Sequence, residues 1–263
     1  MTYALSSEGL RCLRSVSGED ALLAFDIDGT LAPIAAQPWA ARIPDDIQRM
    51  LVYLNEVRTV AIVTGRSIAD ARRMLAFEPA YLVGSHGAEG VPGRAADRAA
   101  LALVTRGWMA ALNSPEKPWP PTPGVLLEDK GCSLAVHYRH AGDREQALHL
   151  IEQRARRLSP PPRLIHGKCV LNLLPAGAPH KGDALRALLV DSGRTRAIYV
   201  GDDVTDEDVF RLHLPGVISV RVAPVGERTT DLYLPLQEEV SDLLRELTAM
   251  IDQEAAGFVH TRA

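Results

Sequence analysis

Residues 21–34, ALLAFDIDGTLAPI, set a short apolar run directly before two aspartates and a Gly-Thr pair. The run Ala21–Phe25 is continuous, which is typical of a strand buried on both faces of a parallel sheet. An Asp-Gly turn would explain Asp28 but not Asp26, which interrupts the strand before the turn begins. If the chain stays extended, both carboxylates point the same way, and like charges held close favour a shared proton or a bound cation. The stretch therefore predicts a buried strand that ends in a charged site.

Composition narrows the class of protein. The 263 residues, 46% hydrophobic and 24% charged, are typical of a soluble globular protein with one large domain or two smaller ones. A net charge of −4 offers no electrostatic reason for binding nucleic acid. The three cysteines are widely spaced and indicate reduced thiols rather than disulfides or a zinc site. No signal-peptide pattern and no apolar run of about 18 residues is present, so we expect a cytoplasmic protein without a membrane partner.

Strand-like and helix-like patterns alternate along the first third of the chain. Apolar runs at 59–63 and 81–84 predict two further buried strands. Helical spacing at 44–56 and 67–77 places one helix before each of these strands. Alternation of this kind predicts a parallel sheet with helices on its faces.

The pattern changes in the middle of the chain. The predicted elements there are a helix near 97–112, two strands within 125–139, a helix at 143–158 and a hairpin over 164–175. A connection near 115–123 is too rich in proline for regular structure. We place the hairpin turn at His166 and Gly167. Because strands and helices are mixed here, we interpret residues 95–174 as a separate α+β unit.

The alternating pattern then returns. The predicted elements are a helix at 181–190, a strand at 197–203, a helix at 206–213, a strand at 217–222 and a helix at 237–252. Residues 255–263 are expected to fray. We therefore predict an α/β protein whose core, formed by 1–94 and 175–263, is interrupted by the α+β unit.

Polar residues stand at the carboxyl ends of three predicted strands: Asp26 and Asp28, Thr64, and Asp202 with Asp203. Ligand sites in open α/β sheets lie outside those ends. A hard cation between Asp26 and Asp202, with backbone and water oxygens completing its coordination, suits Mg²⁺. Such an ion would relieve the repulsion and hold a phosphate against Asp26.

Each of these pieces also has a plain structural interpretation. Thr64 and Gly65 could form only a strand-to-helix turn, and Lys181 could be a surface lysine. A capping box at 205–208 would explain Thr205 and the acidic residues after it, but not Asp202 and Asp203 at the strand end. The functional interpretation rests on the four pieces taken together.

The order of these motifs resembles the haloacid dehalogenase superfamily of phosphohydrolases. The matching motifs are DIDGT (26–30), VTGR (63–66), a lysine that opens a helix at 181, and GDD (201–203). The resemblance implies a Rossmann-like parallel-sheet core, Mg²⁺ as cofactor and an aspartyl-phosphate intermediate. It implies that Asp26 is the nucleophile and that Asp28 is the general acid and then the general base.

The same resemblance implies roles for the remaining core residues. Thr64, Gly65 and Lys181 would hold the phosphoryl oxygens. The metal would be bound by Asp26, by Asp28 through its backbone carbonyl and by Asp202. Asp203 and Asp206 would be alternative or supporting ligands.

A finer resemblance is to the trehalose-6-phosphate phosphatases. It is carried by GSHGAEG (84–90), EDKGCSLAVHYR (128–139), GKCVLNLLP (167–175), HKGDAL (180–185) and GDDVTDEDVF (201–210). It implies that 95–174 is a mobile cap that closes over a sugar phosphate. The sugar-binding residues implied by the match are Glu128, Lys130, His137, Arg139, Lys168, Asn172, His86 and Glu89. A plain alternative for Glu128 and Lys130 is an ordinary ion pair at a hairpin end.

The chain departs from that family at Asn172 and Leu174, where glutamate and often a basic residue are usual. An amide donates and accepts hydrogen bonds but carries no charge, so the identity of the sugar is left open. Trehalose 6-phosphate is the leading substrate, and glucosyl- or mannosyl-phosphoglycerate or sucrose phosphate is the alternative.

Two other classes of function explain the sequence less well. A receiver-like phosphoryl switch is usually about half this long and lacks an equivalent of Asp28. A phosphosugar-binding protein that has lost catalysis should lack Asp26 or Asp28, and both are present. The oligomeric state is left open, with a monomer favoured.

Overall fold

The computed structural model describes residues 1–35, 37–113, 119–120, 122–223 and 230–261. The strands in these residues are β1 (Thr2–Tyr3), β2 (Ala21–Phe25), β3 (Thr59–Val63), β4 (Tyr81–Val83), β5 (Leu126–Asp129), β6 (Leu134–His137), β7 (Pro162–Gly167), β8 (Val170–Pro175), β9 (Arg196–Gly201), β10 (Val217–Val222) and β11 (Leu232–Leu234). The α-helices are α1 (Ser7–Arg14), α2 (Asp45–Val57), α3 (Ile68–Met74), α4 (Ala95–Leu112), α5 (Arg144–Ala155), α6 (Lys181–Ser192), α7 (Glu207–Phe210) and α8 (Val240–Thr261). Short 3₁₀ turns lie at Pro38–Ala40, Ser85–Gly87, Val204–Asp206 and Gln237–Glu239.

Seven of these strands form one parallel sheet, the core sheet. Its order is β1-β11-β10-β9-β2-β3-β4, and every neighbouring pair is parallel. Strand β2 therefore lies between β9 and β3. Because parallel strands end at the same edge, the residues that follow these three strands are brought together.

Strand β2 is buried on both faces, which explains its continuous apolar sequence. Leu23 and Phe25 belong to one hydrophobic cluster, which includes residues of α2 and α8. Leu22 and Ala24 point the other way, into a second cluster that includes Leu185 of α6. Full burial of a leucine or phenylalanine side chain stabilises the fold by about 1.5–3 kcal/mol. The α/β architecture predicted from the alternating pattern is confirmed.

The other four strands form an antiparallel sheet, the cap sheet, with the order β5-β6-β8-β7. One face packs on α4 and α5 in a cluster that contains Trp108, Ile151 and Leu171. Successive residues of a strand alternate between faces. The face away from the helices therefore carries His137 and Asn172, which alternate with buried neighbours of that cluster. The domain limits at 95 and 174 stay a prediction.

The hairpin of the cap sheet differs from its predicted form. Gly167 pairs with Val170, so the turn is at Lys168 and Cys169, not at His166 and Gly167. Strand β7 begins at Pro162, two residues before the predicted start of the hairpin at 164. Proline is tolerated there because β7 is an edge strand. Within this turn, Cys169 adopts a left-handed backbone conformation with a φ of +63°.

The two ends of the chain hold elements that the sequence patterns did not predict. Strands β1 and β11 pair with each other at one edge of the core sheet, and α1 follows β1. Helix α8 continues to Thr261, so the expected fraying from residue 255 is wrong for the backbone up to 261. Arg58 helps to hold this extension through a 2.9 Å salt bridge to Glu254.

The helix after β9 and the proline-rich connection are two further segments for which the sequence makes a prediction. The predicted helix at 206–213 is shorter, because a 3₁₀ turn occupies Val204–Asp206 and α7 ends at Phe210. Most of the proline-rich connection at 115–123 lies outside the described residues. No helix in the described part of the chain is long and apolar enough to cross a membrane.

Candidate active site

Asp26, Thr64 and Asp202 follow the adjacent strands β2, β3 and β9 at one edge of the core sheet. The backbone amide of Asp26 donates to the carbonyl of Val200 over 2.9 Å, so sheet pairing continues one residue past β2. The amide of Thr64 likewise donates to Val83 over 2.9 Å. These bonds hold the first residue after each strand in place. The predicted convergence of strand-end residues is thus present in the fold.

Lys181, the first residue of α6, is fully enclosed at this edge. Its ammonium group lies 3.0 Å from Oδ2 of Asp26 and 2.8 Å from Oδ1 of Asp206. Its side chain is only 1% exposed, so the alternative of a surface lysine is wrong. Burial alone would lower the pKa of Lys181, but the two carboxylates outweigh burial and raise it. The two carboxylates therefore favour the charged form of Lys181 beside Asp26.

Asp206 is held by hydrogen bonds on both of its oxygens. Oδ1 accepts the Tyr199 hydroxyl over 2.6 Å as well as the lysine ammonium. Oδ2 accepts the backbone amide of Asp203 over 2.9 Å. A Cβ on Gly201 would lie 2.4 Å from the carboxyl carbon of Asp206, so only glycine fits there. The arrangement suits a residue that positions Lys181.

Three carboxylates nevertheless form one acidic cluster. Asp26, Asp202 and Asp206 each offer an oxygen that lies within 4.8 Å of the other two. Burial raises the pKa of Asp26 to about 7, with Lys181 opposing the shift. Burial, together with the charge of Asp26, raises the pKa of Asp202 to about 8. Removing two ionised carboxylates from water is unfavourable unless a cation or protons compensate.

The donor set of this cluster fits a hard divalent cation. Oδ1 of Asp202 is buried and has no hydrogen-bond partner in the structure. Such an orphaned oxygen is unusual in a folded protein and suits a metal ligand. Gly29 makes room for this carboxylate, since a Cβ there would lie 1.9 Å from Oδ2 of Asp202. Gly29 also has a φ of +83°, which favours glycine.

The turn after β3 is shaped by His86. The imidazole lies against Gly65, where a Cβ would be 2.3 Å from Cε1 of His86. The backbone amide of His86 donates to the carbonyl of Thr64 over 3.0 Å. The Thr64 hydroxyl accepts the amide of Arg66 over 3.2 Å. Ser85 and His86 both have positive φ values, 50° and 59°, which is a strained conformation for residues with side chains.

Asp28 is engaged by Arg66 through two parallel hydrogen bonds. The Nε and Nη2 atoms of Arg66 each donate to one carboxylate oxygen over 2.6 Å. Fork-to-fork pairing fixes the plane of the carboxylate as well as its distance. The side chain of Asp28 stays about one-third exposed, at 35%, toward the cavity described next.

Cap-sheet residues and two members of the acidic cluster, Asp26 and Asp202, share one cavity of about 480 Å³. A cavity of this size accommodates a drug-sized ligand, well beyond a phosphate ion. The predicted site residues that line it are Asp26, Asp28, Gly65, His86, Glu128, Lys130, His137, Arg139, Lys168, Asn172, Lys181, Asp202 and Asp203. The strand ends of the core sheet thus face the polar side of the cap sheet.

Glu89 has a different location from the one expected of a sugar ligand. It is not among the residues that line the cavity. Its carboxylate accepts the backbone amide of Ile68 over 3.0 Å and the guanidinium of Arg98 over 3.0 Å. The first of these bonds satisfies a free amide at the start of α3. The geometry gives Glu89 a structural role and argues against its predicted contact with sugar.

Two polar residues of the cap face make specific contacts. Oε2 of Glu128 lies 2.7 Å from Nε2 of His137, whereas the alternative of an ion pair between Glu128 and Lys130 has no such contact among the described residues. Lys130 instead donates to the carbonyl of Gly65 over 3.0 Å. Burial lowers the pKa of Lys130. Lys130 thus connects the cap face directly to the turn after β3.

His86 and Asn172 form an uncharged part of the cavity wall. Burial lowers the pKa of His86 well below its usual value, and the positive charge of Lys130 adds to this shift. Asn172 is also buried and lines the same cavity, and neither ring nitrogen of His86 has a hydrogen-bond partner in the structure. This wall therefore offers neutral donors and acceptors.

A family model described as trehalose-phosphatase matches residues 24–244, most of the chain and all of this site. The chain belongs to the trehalose-phosphatase family. Among its relatives is the "Probable trehalose-phosphate phosphatase" of Sinorhizobium fredii (strain NBRC 101917 / NGR234), 39% identical over 216 residues that cover 77% of each chain. The trehalose-6-phosphate phosphatase of Escherichia coli (strain K12) is 33% identical over 238 residues, 88% of this chain and 87% of the relative. Membership makes this chain a phosphoric monoester hydrolase.

Solved structures agree with the fold. The C-terminal domain of the C. albicans trehalose-6-phosphate phosphatase has a TM-score of 0.70 at 23% identity and covers 96% of this chain and 98% of that one. A haloacid dehalogenase-like hydrolase from Bacteroides thetaiotaomicron has a TM-score of 0.54 at 17% identity and covers 86% and 99%. The predicted haloacid dehalogenase fold with a cap is confirmed.

Some residues of this trehalose-phosphatase site were missed by sequence reasoning. Arg66 is the last residue of the VTGR motif, so the motif itself was the available signal. Tyr199 lies inside the apolar strand β9 and resembles any core aromatic until its hydroxyl is seen to reach Asp206. Trp39 lines the cavity from a loop between β2 and α2, where no periodic pattern marks it.

Proposed function

We propose that this trehalose-phosphatase family member hydrolyses trehalose 6-phosphate to trehalose and inorganic phosphate, using Mg²⁺. The observation that carries the proposal is the pairing of Asp26 with Lys181 at the base of a cavity whose other wall is polar and belongs to the cap sheet. Relatives that bear the name trehalose-phosphate phosphatase support the choice of substrate.

Asp26 acts as the nucleophile. A carboxylate oxygen of Asp26 attacks phosphorus, and the bond between phosphorus and the sugar oxygen breaks, which leaves an aspartyl-phosphate. Lys181, the Thr64 hydroxyl and the Gly65 amide stabilise the charge on the phosphoryl oxygens. Lys181 already contacts Asp26, so it is in place before substrate arrives.

Asp28 transfers the protons in both steps. It protonates the departing sugar oxygen, and it then removes a proton from the water that attacks the aspartyl-phosphate. The two hydrogen bonds from Arg66 hold its carboxylate at the cavity wall. A partly exposed carboxylate in this position has access to both the leaving group and solvent.

The residues that would hold Mg²⁺ are Asp26, Asp202 and the backbone carbonyl of Asp28. When bound, the ion neutralises charge on the phosphoryl group and the carboxylates. The unpartnered oxygen of Asp202 supports its assignment as a direct ligand. Asp206 is the weaker candidate, because both of its oxygens already accept hydrogen bonds. Asp203 stays a supporting candidate at the cavity wall.

The cap face recognises the sugar. Glu128, Lys130, His137, Arg139 and Lys168 supply charged and hydrogen-bonding groups for hydroxyls. The contact of Lys130 with Gly65 places the sugar site next to the phosphate site. Movement of residues 95–174 as a cap would admit substrate and exclude water during reaction.

A second candidate is a phosphatase for another glycosyl phosphate, such as glucosyl- or mannosyl-phosphoglycerate or sucrose phosphate. The neutral wall formed by His86 and Asn172 favours this candidate. A carboxylate at 172 would accept sugar hydroxyls more strongly than an amide does. Asn172 is therefore the residue to change if trehalose 6-phosphate is a poor substrate.

The proposal is tested by phosphate release from a panel of substrates, with Mg²⁺ and with chelator. The panel contains trehalose 6-phosphate, sucrose 6-phosphate, glucose 6-phosphate and glucosyl-phosphoglycerate, and Asp26→Asn is the inactive control. We expect Mg²⁺-dependent turnover with a preference for trehalose 6-phosphate. A preference for another substrate would support the second candidate, and full activity of Asp26→Asn would refute the mechanism.

A further inference from the structure

Three exposed apolar side chains line the active-site cavity. They are Ile34, Trp39 and Leu126, and we call them the apolar rim. Their exposed fractions are 45%, 66% and 60%. The other strongly exposed apolar side chains of the described residues, such as Leu103, Val190 and Leu236, do not line this cavity. Three of the eight exposed large apolar side chains in the described part of the chain thus line this one cavity.

Trp39 is presented by a loop that is anchored on both sides. Before it, the amide of Ala32 donates to the carbonyl of Ile27 over 2.8 Å, directly beside Asp28. After it, Arg42 donates to the carbonyl of Trp39 over 2.8 Å. Ile43 is then buried in the core. The backbone that presents the exposed indole is thus held at Trp39 itself by Arg42 and just after it by the burial of Ile43.

Strand β5 gives a measure of distance from the phosphate site. Lys130, just after the strand, contacts Gly65 of the phosphate-binding turn. Glu128 and Leu126 follow on the same face at two-residue steps, and each step covers about 7 Å along a strand. Along β5 the side chains thus change from charged to apolar with increasing distance from the phosphate, while His137, which is opposite Leu126 on β6, keeps a polar group at the far end.

This order matches a disaccharide phosphate. The sugar ring that carries the phosphate lies nearest Lys130 and Glu128, where its hydroxyls find polar partners. A second ring extends toward the apolar rim. A hexopyranose presents C–H groups on its faces, and such a face packs well on an exposed indole, whose edge can still donate a hydrogen bond. A monosaccharide phosphate would leave Trp39 exposed to water.

We infer that Trp39, with Ile34 and Leu126, forms the binding surface for the second hexose ring of a disaccharide phosphate. The inference rests on the proposed function and adds a specificity-determining residue on the core side of the cavity. It assigns the selection of disaccharide over smaller phosphates to contacts made far from the reacting phosphorus.

The test compares Trp39→Ala and Trp39→Phe with the wild type on trehalose 6-phosphate and on 4-nitrophenyl phosphate. Leu236→Ala removes an exposed apolar side chain outside the cavity and serves as the control. We expect Trp39→Ala to lower kcat/KM for trehalose 6-phosphate by about tenfold, mainly by raising KM. A tenfold change is at the upper end of what the loss of one aromatic contact causes. The loss of this variant on 4-nitrophenyl phosphate should be much smaller. Trp39→Phe should keep most of the preference, and Leu236→Ala should behave as the wild type.

Indole fluorescence provides a readout that does not require turnover. Trehalose, the expected product, should change the tryptophan emission of the wild type, and Trp39→Phe should remove most of that change. Equal losses of Trp39→Ala on both substrates, or wild-type kinetics on trehalose 6-phosphate, would overturn the inference while the proposed function stands. If the wild type hydrolyses no disaccharide phosphate at all, the proposed function fails first and the inference fails with it.

Discussion

The ammonium group of Lys181 lies 2.8 Å from Oδ1 of Asp206, a carboxylate that is buried completely. The pair joins the start of α6 to the turn after β9 and sets the position of the lysine beside Asp26. Removal of Asp206 would leave the buried ammonium with Asp26 as its one remaining carboxylate partner, and loss of a buried ion pair is far less favourable than loss of an exposed one.

Asp206→Asn should therefore both destabilise the protein and reduce its activity. We expect the free energy of unfolding to fall by about 2–3 kcal/mol, the range for loss of a hydrogen bond between charged groups. The value of kcat should fall at least about tenfold, because the lysine would lose half of its electrostatic support. Urea unfolding and steady-state kinetics measure the two effects.

Tyr199→Phe is the matched control, since it removes one hydrogen bond from the same carboxylate and keeps the ion pair. This variant should lose about 1 kcal/mol of the free energy of unfolding, with little change in kcat. Equal activity losses in the two variants would contradict the positioning role of Asp206.

Gly29 and Gly107 should respond in opposite directions to the same substitution. Gly29→Ala places a methyl group against the carboxylate of Asp202 and strains a residue with positive φ, so stability and Mg²⁺-dependent activity should both fall. Gly107 lies inside α4 with no atom within 4 Å of an added Cβ, so Gly107→Ala should stabilise by about 0.5–1 kcal/mol. Thermal unfolding with and without Mg²⁺ measures the stability of both variants, and steady-state kinetics measures the activity of Gly29→Ala. A normal Mg²⁺ response in Gly29→Ala would argue against the close packing of Asp202 on this turn.

Arg66→Lys should slow the reaction although the charge is kept. A lysine cannot form the two parallel hydrogen bonds that fix Asp28. We expect kcat/KM to fall by about tenfold, which corresponds to the loss of one charge-assisted hydrogen bond. Arg72→Lys is the control, because Arg72 makes the same forked contact with Glu78 at an exposed site. If both variants keep wild-type kinetics, the orientation of Asp28 does not depend on Arg66.

The metal-free protein should lose stability as pH rises. The pKa values of Asp26 and Asp202 are raised to about 7 and about 8, above those of unfolded aspartate. Between about pH 4 and pH 8 the folded state therefore holds more protons than the unfolded state, and the contribution of the site is lost as pH passes through 7 and 8. Each excess proton changes the free energy of unfolding by about 1.4 kcal/mol per pH unit.

Thermal unfolding in chelator at pH 6 and pH 8.5 measures this effect, and Mg²⁺ should stabilise the protein more at pH 8.5. Asp202→Asn is the comparison that isolates the site, since it removes one carboxylate from the cluster. We expect this variant to show a smaller pH difference in chelator and a smaller gain from Mg²⁺. The same pH difference in variant and wild type would assign the effect to groups outside the cluster.

Several features were predictable because their signals are local. The apolar run before Asp26 and the motifs after β3 and β9 each lie within a few residues, and the rule that parallel strands end at one edge brings them together. Helix α1 had a usable signal as well, in Ser6 as a cap before Ser7–Arg14. Strands β1 and β11 had almost none, because strands of two and three residues depend on pairing with strands distant in sequence, β1 with β11 and β11 with β10.

The sequence by itself determined that this chain forms a parallel α/β core, that an α+β unit interrupts it, and that aspartates, a hydroxyl and a lysine meet at its strand ends. Alternation, apolar runs and strand order suffice for this, since each depends on neighbouring residues. Only the tertiary structure decided that Asp28 is held by Arg66, 38 residues away, and Lys181 by Asp206, 25 residues away. It alone decided that Glu89 bonds to the start of α3 and that Trp39 faces the cavity. Contacts of this kind depend on how separate elements pack, because a side chain finds its partner in space and not along the chain.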